Sequence, residues 1–502
     1  MRVASILCQN FLTTREQIKK ALPFSDVIEL RLDYLPDIFI SDIKTLREEM
    51  TLPVIFTLRR KNQGGQCHLP EPERLKKLEQ LASLSPDYLD LEFDVPVAFV
   101  HALQKQYPTI QYIGSYHDFE KTPADLEKLF QAIYQPYFSI FKLATFAHDI
   151  CDTLRLLIFT QKTNQKQKII TMAMGEYGQA SRILSPVVGS LMSYGSIDET
   201  SSAAPGQLTL QEMTDIYRVQ QLNTHTGIYA LLGDPIAQSP GHIFHNQKFA
   251  ANNQNAVYVK LKISPEKLAE AITLLRQLPF CGFSVTIPHK ETVMQYLDEI
   301  SPDAKEMGAV NTIKKENNEY VGFNTDGIAS VDVLSEATSL SPVIASTAVF
   351  AERGNPGNIK AAFNKKILIL GAGGSAKAIA YALTKNGARV TLCNRTLERA
   401  KIIAQQLGAD AINFTALFSQ TELDYDIIIN TLPAQAFIEQ CADWHIPSPP
   451  YSHAIAMDIV LKPLDTLFLK HAKTAGFMCI GGDALFVAQA MRQQIIWQTI
   501  KK

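Results

Sequence analysis

Lys366-Ile367-Leu368-Ile369-Leu370-Gly371-Ala372-Gly373-Gly374-Ser375-Ala376 is the stretch on which the fold of this chain turns. Four consecutive aliphatic residues read as a buried strand of a parallel sheet, and the glycines after them as a tight turn into a helix. In that context G-x-G-x-x-A lets a pyrophosphate approach the N–H groups at a helix N-terminus. The next strand, Arg389–Cys393, ends at Asn394-Arg395-Thr396, with Arg399 one turn further on. A site that prefers NAD carries an acid there for the ribose hydroxyl, whereas arginines suit a 2′-phosphate. NADP(H) is therefore the expected cofactor, held by Gly371 to Ala376, Asn394, Arg395, Thr396 and Arg399.

Outward from this point, strand and helix patterns alternate back to an apolar strand at Ile228–Leu232. They predict a substrate lobe over 223–336 and a doubly wound lobe over 365–483, with a C-terminal helix from about 484 to 502 returning to the substrate lobe. Between the lobes, Ala337 to Asn364 is rich in Ser, Ala, Gly and Pro and reads as an insertion loop of no assigned role. Further upstream, short β-rich runs recur at Val3–Cys8, Val27–Leu32, Val54–Thr57, Tyr88–Glu92, Gln111–Tyr116, Phe138–Ala144, Ile169–Met174 and Ser190–Tyr194. Most are separated by enough chain for a helix, which fits a (β/α)8 barrel over residues 1–222 with its chemistry at the strands' C-terminal ends. Leu208 to Leu222 has helical spacing and is expected to be the last barrel helix, with Asn223-Thr224-His225-Thr226-Gly227 as a short linker. The fold class is thus α/β: an N-terminal (β/α)8 barrel followed by a two-lobed α/β unit with a Rossmann-type dinucleotide-binding lobe.

At 502 residues the chain is long enough for several cores. A net charge of -2 and 20% charged residues give no basic excess to attract nucleic acid or an anionic membrane. Seven scattered cysteines without a C-x-x-C pair argue against a zinc or redox centre, so no metal is expected, and they favour a reducing cytoplasm. The opening apolar run, Met1 to Cys8, reads as a strand rather than a leader, and no apolar stretch approaches the ~18 residues that span a bilayer.

In Glu29-Leu30-Arg31-Leu32-Asp33, strand alternation puts three charged side chains on one face, which inside a barrel must pair or hold a ligand. Lys142 lies in Phe141-Lys142-Leu143-Ala144, where apolar flanks are expected to desolvate its ammonium, and a neutral amine can attack a ketone to form a Schiff base. His117, in Ser115-Tyr116-His117-Asp118, ends the preceding strand, where an imidazole can move protons. Arg182, in Met174-Gly175-Glu176-Tyr177-Gly178-Gln179-Ala180-Ser181-Arg182, and Gln207, in Ala204-Pro205-Gly206-Gln207, suit a carboxylate and hydroxyls.

This ordered set resembles type I 3-dehydroquinate dehydratase over residues 1–222. The resemblance implies that Lys142 forms the imine with the ring ketone, that His117 is the acid and base, and that Glu29, Arg31, Arg59, Arg182 and Gln207 hold hydroxyls and carboxylate. Two positions depart from the family: Gln63 replaces an acid before Gly64-Gly65, and Ala203 replaces a serine before Ala204-Pro205-Gly206-Gln207. In the second half, Ser284-Val285-Thr286-Ile287-Pro288-His289-Lys290 runs from a strand into a helix start, where the helix dipole opposes a cation, so Lys290 needs a further reason to be there. With Gly233-Asp234-Pro235-Ile236-Ala237-Gln238-Ser239, Ala309-Val310-Asn311-Thr312, Asn324-Thr325-Asp326-Gly327 and Val487-Ala488-Gln489-Ala490, this segment resembles shikimate dehydrogenase over residues 228–502. That implies a catalytic pair of Lys290 and Asp326, with Thr286, Asn311, Asp326 and Gln489 reading ring hydroxyls, Ser239 taking the carboxylate and Gly482 on the cofactor side. Here the departures are Gly241 for a second serine and Leu461 for a tyrosine; His242 is a candidate replacement for the lost hydroxyl.

Together the two halves imply successive steps of aromatic amino acid biosynthesis: dehydration of 3-dehydroquinate to 3-dehydroshikimate, then reduction to shikimate. Two alternatives stay open. The second half could be a quinate dehydrogenase, given Gly241 and Leu461, or the whole chain a metabolite sensor that no longer turns substrate over.

Overall fold

A computed structural model describes residues 1–35, 37, 39–198, 204–339, 364–449, 451 and 453–499 of the chain. They form two compact units, Met1–Phe280 and Cys281–Lys502.

In the first unit, β1 (Arg2–Leu7), β2 (Val27–Arg31), β3 (Val54–Thr57), β4 (Tyr88–Glu92), β5 (Gln111–Asp118), β6 (Ile140–Phe146), β7 (Ile169–Met174) and β8 (Ser193–Gly195) make an eight-stranded parallel sheet in the order β7-β6-β5-β4-β3-β2-β1-β8. It curls into a nearly closed barrel. The period-two alternation of each strand sorts its inward residues by height. Val3, Val27, Ile55, Ile113, Ile140 and Ile170 pack together at one level. Two residues further along the same strands come Ser5, Glu29, Thr57, Ser115, Lys142 and Met172, so the barrel changes from apolar to charged within one layer. The opposite faces of the strands, with Ile6, Leu30, Phe56, Leu91, Phe141 and Leu143, are buried under the surrounding helices.

Several expected boundaries move. Phe138 and Ser139 precede β6, and β8 is shorter than the expected Ser190–Tyr194 run. The expected helix from Leu208 to Leu222 is helical only over Leu210–Asp215, where Thr209 and Glu212 form a reciprocal capping box; Arg218 then takes a left-handed φ of 52° before a short 3-10 turn. Asn223 to Thr226 is a hydrogen-bonded turn rather than a loose linker, since Asn223 N–H donates to Thr226 Oγ1 and Thr226 N–H to the Asn223 carbonyl. It leads into β9 (Gly227–Gly233), which pairs in parallel with β10 (Ala256–Lys262). The helix Leu268–Leu275 packs on the barrel helix Ile150–Thr163, flanked by Arg155–Glu270 and Lys267–Asp149 ion pairs of 2.7 and 2.8 Å.

In the second unit, β11 (Phe280–Val285) runs antiparallel to β13 (Thr312–Glu316), β13 antiparallel to β14 (Glu319–Phe323), and β14 parallel to β12 (Glu299–Ile300). A second sheet, wholly parallel, has the order β17 (Asp410–Ile412), β16 (Arg389–Cys393), β15 (Lys366–Leu370), β18 (Ile427–Asn430), β19 (Ile455–Asp458), β20 (Met478–Ile480). In chain order this is 3-2-1-4-5-6, the doubly wound arrangement, and its direction reverses between β15 and β18, where such sheets bind dinucleotides. The final helix, Gly482–Gln498, returns to the antiparallel strands: Gln493 accepts from Ser284 Oγ at 2.9 Å, and Trp497 Nε1 donates to the Ile313 carbonyl at 3.0 Å. The expected insertion loop begins later than Ala337, because the helix Asp326–Ser339 continues through that residue; 340–363 lie outside the described residues, as does Ala203.

Among the described residues no helix is long and apolar enough to cross a membrane.

Candidate active sites

The charged layer of the barrel is built around Lys142, which is 4% exposed. Its Nζ lies 3.3 Å from Glu29 Oε1, 3.1 Å from Asp90 Oδ2 and 4.1 Å from the centre of the Tyr194 ring. The apolar flanks expected to desolvate it, Phe141 and Leu143, point to the outer core, while the lysine itself is buried and points at two carboxylates. Glu29 is completed by Ser5 Oγ at 2.6 Å and Thr57 Oγ1 at 3.0 Å. Asp90 also accepts from Arg59 Nη2 at 2.8 Å and Ser115 Oγ at 2.6 Å. Burial pushes the Asp90 carboxyl up, but Arg59 and Lys142 outweigh it and hold the group well below the usual carboxylate range. For Glu29 the same opposition, with Lys142 and Arg31 as the cations, also ends in a lowered value.

Asp90 was not singled out from sequence. In Tyr88-Leu89-Asp90-Leu91-Glu92 the alternation that exposed Glu29 and Arg31 is equally clear, and would have found it.

Arg31 and Asp33 form a two-pronged ion pair, Nε to Oδ1 at 2.9 Å and Nη2 to Oδ2 at 2.8 Å. Arg31, Arg59, Gln63, His117, Arg182 and Gln207 all line one cavity with Glu29 and Lys142, so every barrel residue proposed from sequence for catalysis or substrate binding converges. Gln63 accepts from the backbone N–H of His117 at 2.9 Å. It therefore fixes the strand end that carries the imidazole, although it brings no charge. Burial, with Arg59 and Lys142, drives the His117 pKa well below its ordinary value, and its Nδ1 is buried without a hydrogen-bond partner. A neutral imidazole of this kind can accept a proton.

Arg182 has no anionic partner among the described residues. It is 1% exposed; Nη1 donates to the Tyr194 carbonyl at 3.1 Å, while Nε and Nη2 are buried and unpartnered. Burial pushes its pKa down to about 10. A buried guanidinium left in this state stands ready for an anion such as a carboxylate.

In the second unit, Lys290 sits in the short helix His289–Thr292 after β11. Its Nζ is 2.5 Å from Asp326 Oδ2 and 3.3 Å from Ser375 Oγ. Asp326 opens the helix Asp326–Ser339, where a carboxylate is favoured by the dipole. Asn311 Nδ2 reaches Asp326 Oδ1 at 2.8 Å, Thr325 Oγ1 at 2.9 Å and Gln489 Oε1 at 3.3 Å. Lys290, Asp326, Asn311 and Gln489 thus form one polar cluster, and Thr286 lies half-buried at the end of β11.

Ser239, half-buried in the loop after β9 in the first unit, accepts from Gly241 N–H at 3.3 Å. A Cβ at Gly241 would stand 3.3 Å from Tyr258 Oη and 3.4 Å from Ser239 Oγ. His242, the candidate replacement for the missing hydroxyl, stacks its ring on Tyr217, and burial with Lys260 brings its pKa to about 4, so it is neutral at physiological pH.

The fit to a dinucleotide rests on the turn after β15. Gly371 has φ of 114°, a conformation that glycine adopts at no steric cost, and a Cβ there would lie 2.4 Å from Thr431 Oγ1. Nothing lies within 4 Å of a Cβ at Gly373, and Gly374, Ser375 and Ala376 open the helix Gly374–Lys385. Beyond β16, Asn394 Nδ2 donates to the Thr396 carbonyl at 2.9 Å, leaving Arg395, Thr396 and Arg399 exposed at the sheet's crest. Gly482 begins the last helix beside Val460. These residues suit a phosphorylated dinucleotide. Among the described residues, no group of three or more His, Cys, Asp or Glu side chains could hold a metal ion.

Comparison with known proteins agrees along the length of the chain. Residues 3–224 match the type I 3-dehydroquinase family, 231–313 the shikimate dehydrogenase substrate binding domain, and 357–461 the shikimate / quinate 5-dehydrogenase family. The chain is 33% identical over 502 residues to the chloroplastic bifunctional 3-dehydroquinate dehydratase/shikimate dehydrogenase of Arabidopsis thaliana, covering 95% of this chain and 80% of that one. It is 29% identical to the shikimate biosynthesis protein AroDE of Chlamydia pneumoniae, over 99% of this chain and 95% of the relative. The second half is 33% identical to an NADP(+) shikimate dehydrogenase of Methanococcus maripaludis, over 55% of this chain and 93% of that one.

Proposed function

From the premise that this chain belongs to the bifunctional 3-dehydroquinate dehydratase/shikimate dehydrogenase family, we propose how its own residues divide the two reactions. It is a lyase and an oxidoreductase of the shikimate pathway, and the domains are taken as 1–222 for the dehydratase and 223–502 for the dehydrogenase.

In the barrel, Arg182 receives the carboxylate of 3-dehydroquinate, while Glu29, Arg31, Arg59 and Gln207 hold its hydroxyls. Lys142 attacks the ring ketone; water leaves, and the resulting iminium nitrogen accepts electrons from the neighbouring carbon, whose C–H bond becomes acidic. His117 takes that proton and returns one to the departing hydroxide, which leaves as water. Hydrolysis of the imine releases 3-dehydroshikimate and restores Lys142. One observation carries this reading: Arg182 is a buried guanidinium with two unpartnered nitrogens, in the cavity that also holds Lys142 and His117.

In the second half, Lys290 gives a proton to the carbonyl oxygen as it gains charge and regains one from solvent, while the Asp326 carboxylate holds the lysine and favours its charged form. Asn311, Thr286 and Gln489 read ring hydroxyls, and Ser239 takes the carboxylate. NADPH, the cofactor proposed for this chain, supplies the hydride when bound by Gly371 to Ala376, Asn394, Arg395, Thr396, Arg399 and Gly482. Seven free cysteines support a reducing compartment, the cytoplasm.

Incubation with 3-dehydroquinate and NADPH should yield shikimate and NADP+, and borohydride added with 3-dehydroquinate should label Lys142. Normal dehydration without any lysine adduct would sink the imine mechanism. Relative turnover of shikimate and quinate tests the second half's substrate.

A further inference from the structure

We infer that Ser375 is a positioning residue for Lys290, so that the loop which receives the dinucleotide also aims the proton donor at the substrate. The inference rests on the dehydrogenase reading above and assigns the serine hydroxyl a different duty from cofactor binding.

Three observations converge on it. Ser375 is the second residue of the helix Gly374–Lys385, whose N-cap is Gly373 and which no side chain caps. Its hydroxyl instead accepts from Lys290 Nζ at 3.3 Å. The approach of the two groups is fixed by packing: a Cβ at Gly327, the residue after Asp326, would lie 2.6 Å from the Ala378 carbonyl, one turn along from Ser375. That glycine lets the helix Asp326–Ser339 press against the Gly374–Lys385 helix, and the same contact registers Asp326 and Ser375 on either side of the ammonium. Finally, a Cβ at Gly374 would lie 3.7 Å from Oε1 of Glu291, the neighbour of Lys290, so the loop and the lysine turn meet directly.

An ammonium has three N–H bonds in a fixed tripod. With one acceptor, the flexible lysine stem can swing about it. Asp326 and Ser375 together define a plane through two of the bonds and leave the third a single direction, which is the arrangement a proton donor needs at a developing alkoxide. Because Ser375 belongs to the dinucleotide loop, hydride and proton donors are registered on one rigid segment.

The test is Ser375→Ala in the full chain, with the dehydratase of the same molecule as the internal measure of folding. The expected result is a fall in dehydroshikimate reduction kcat of about tenfold, from losing one hydrogen bond to a charged group. KM for NADPH should be little changed, because this loop meets the pyrophosphate through backbone N–H groups that Ser375→Ala keeps; dehydration should be unaltered, and Ser375→Thr, which keeps a hydroxyl, should recover most of kcat. An unchanged kcat in Ser375→Ala would overturn the inference. So would a rise confined to KM for NADPH, which would make the hydroxyl a phosphate ligand. Absence of dehydroshikimate reduction in the unaltered chain would instead count against the functional reading itself.

Discussion

Replacing Arg182 with methionine should make the substrate-free barrel more stable and the dehydratase much worse. Burial lowers the guanidinium to about 10 from 12.5. At ~1.4 kcal/mol per pKa unit, keeping that charge in place opposes folding by roughly 3 kcal/mol. Methionine removes the charge while filling a similar volume, and forfeits the bond from Nη1 to the Tyr194 carbonyl, a loss of about 1 kcal/mol. The net expectation is a gain of about 2 kcal/mol, readable as slower amide exchange in the peptides of β7 and β8. Binding should move the other way. A buried carboxylate left without its guanidinium loses about 2–5 kcal/mol, so KM for 3-dehydroquinate should rise at least thirtyfold. If Arg182→Met destabilised the free barrel and left KM alone, the arginine would be a structural strut and the assignment of the carboxylate site would be wrong.

Three further outcomes follow from the geometry. His117 and His242 are both held neutral by burial, so below the unfolded-state value of 6.5 the unfolded chain binds protons that the native chain refuses. The stability they contribute is complete above pH 7 and declines as pH falls from 6.5 toward 5, at up to ~1.4 kcal/mol per pH unit for each; His117→Gln should remove half of that slope in urea titrations. Arg395→Ala with Arg399→Ala should raise KM for NADPH about tenfold while leaving that for NADH unmoved, since only the former carries the 2′-phosphate; equal effects on both would reject these arginines as the phosphate ligands. Lys262, at the end of β10, holds both oxygens of Glu176 at 3.1 Å, and the adjacent Gly175 N–H binds the Pro205 carbonyl of the segment that carries Gln207. Lys262→Met should therefore raise dehydratase KM by up to about fivefold with kcat unchanged, and add nothing in a Glu176→Gln background.

Period and punctuation made the architecture legible. β3, β4 and β7 occur at the limits their residues suggested, because strands buried on both faces leave short apolar runs that break only where the inner face turns polar, as at Asp90. The end of the barrel was less readable: Leu210, Met213, Ile216 and Tyr217 keep helical spacing, yet the helix stops at Asp215 because Arg218 turns left-handed, a tertiary choice with no glycine to announce it. Motifs located Lys142, but its neighbours in sequence were silent about its partners, Glu29 and Asp90, which come from other strands. Gln63 shows the same limit. Its residue type excluded an ionisable role, and only the fold revealed its bond to the His117 backbone. Ser375 was legible as part of a dinucleotide turn and silent about Lys290, which is 85 residues away.

The bond from Trp497 to the strand Thr312–Glu316 has a spectroscopic consequence. The chain's two tryptophans, Trp444 and Trp497, both belong to the dehydrogenase half, and the barrel has none. Indole emission therefore reports on one enzyme of the pair without contribution from the other. Trp497 is 7% exposed and lies two helical turns from Gln489, so its quantum yield should respond when substrate enters that half. Excitation at the red edge of the absorption band, where tyrosine does not absorb, would then follow the second half alone in a native sample of the whole chain.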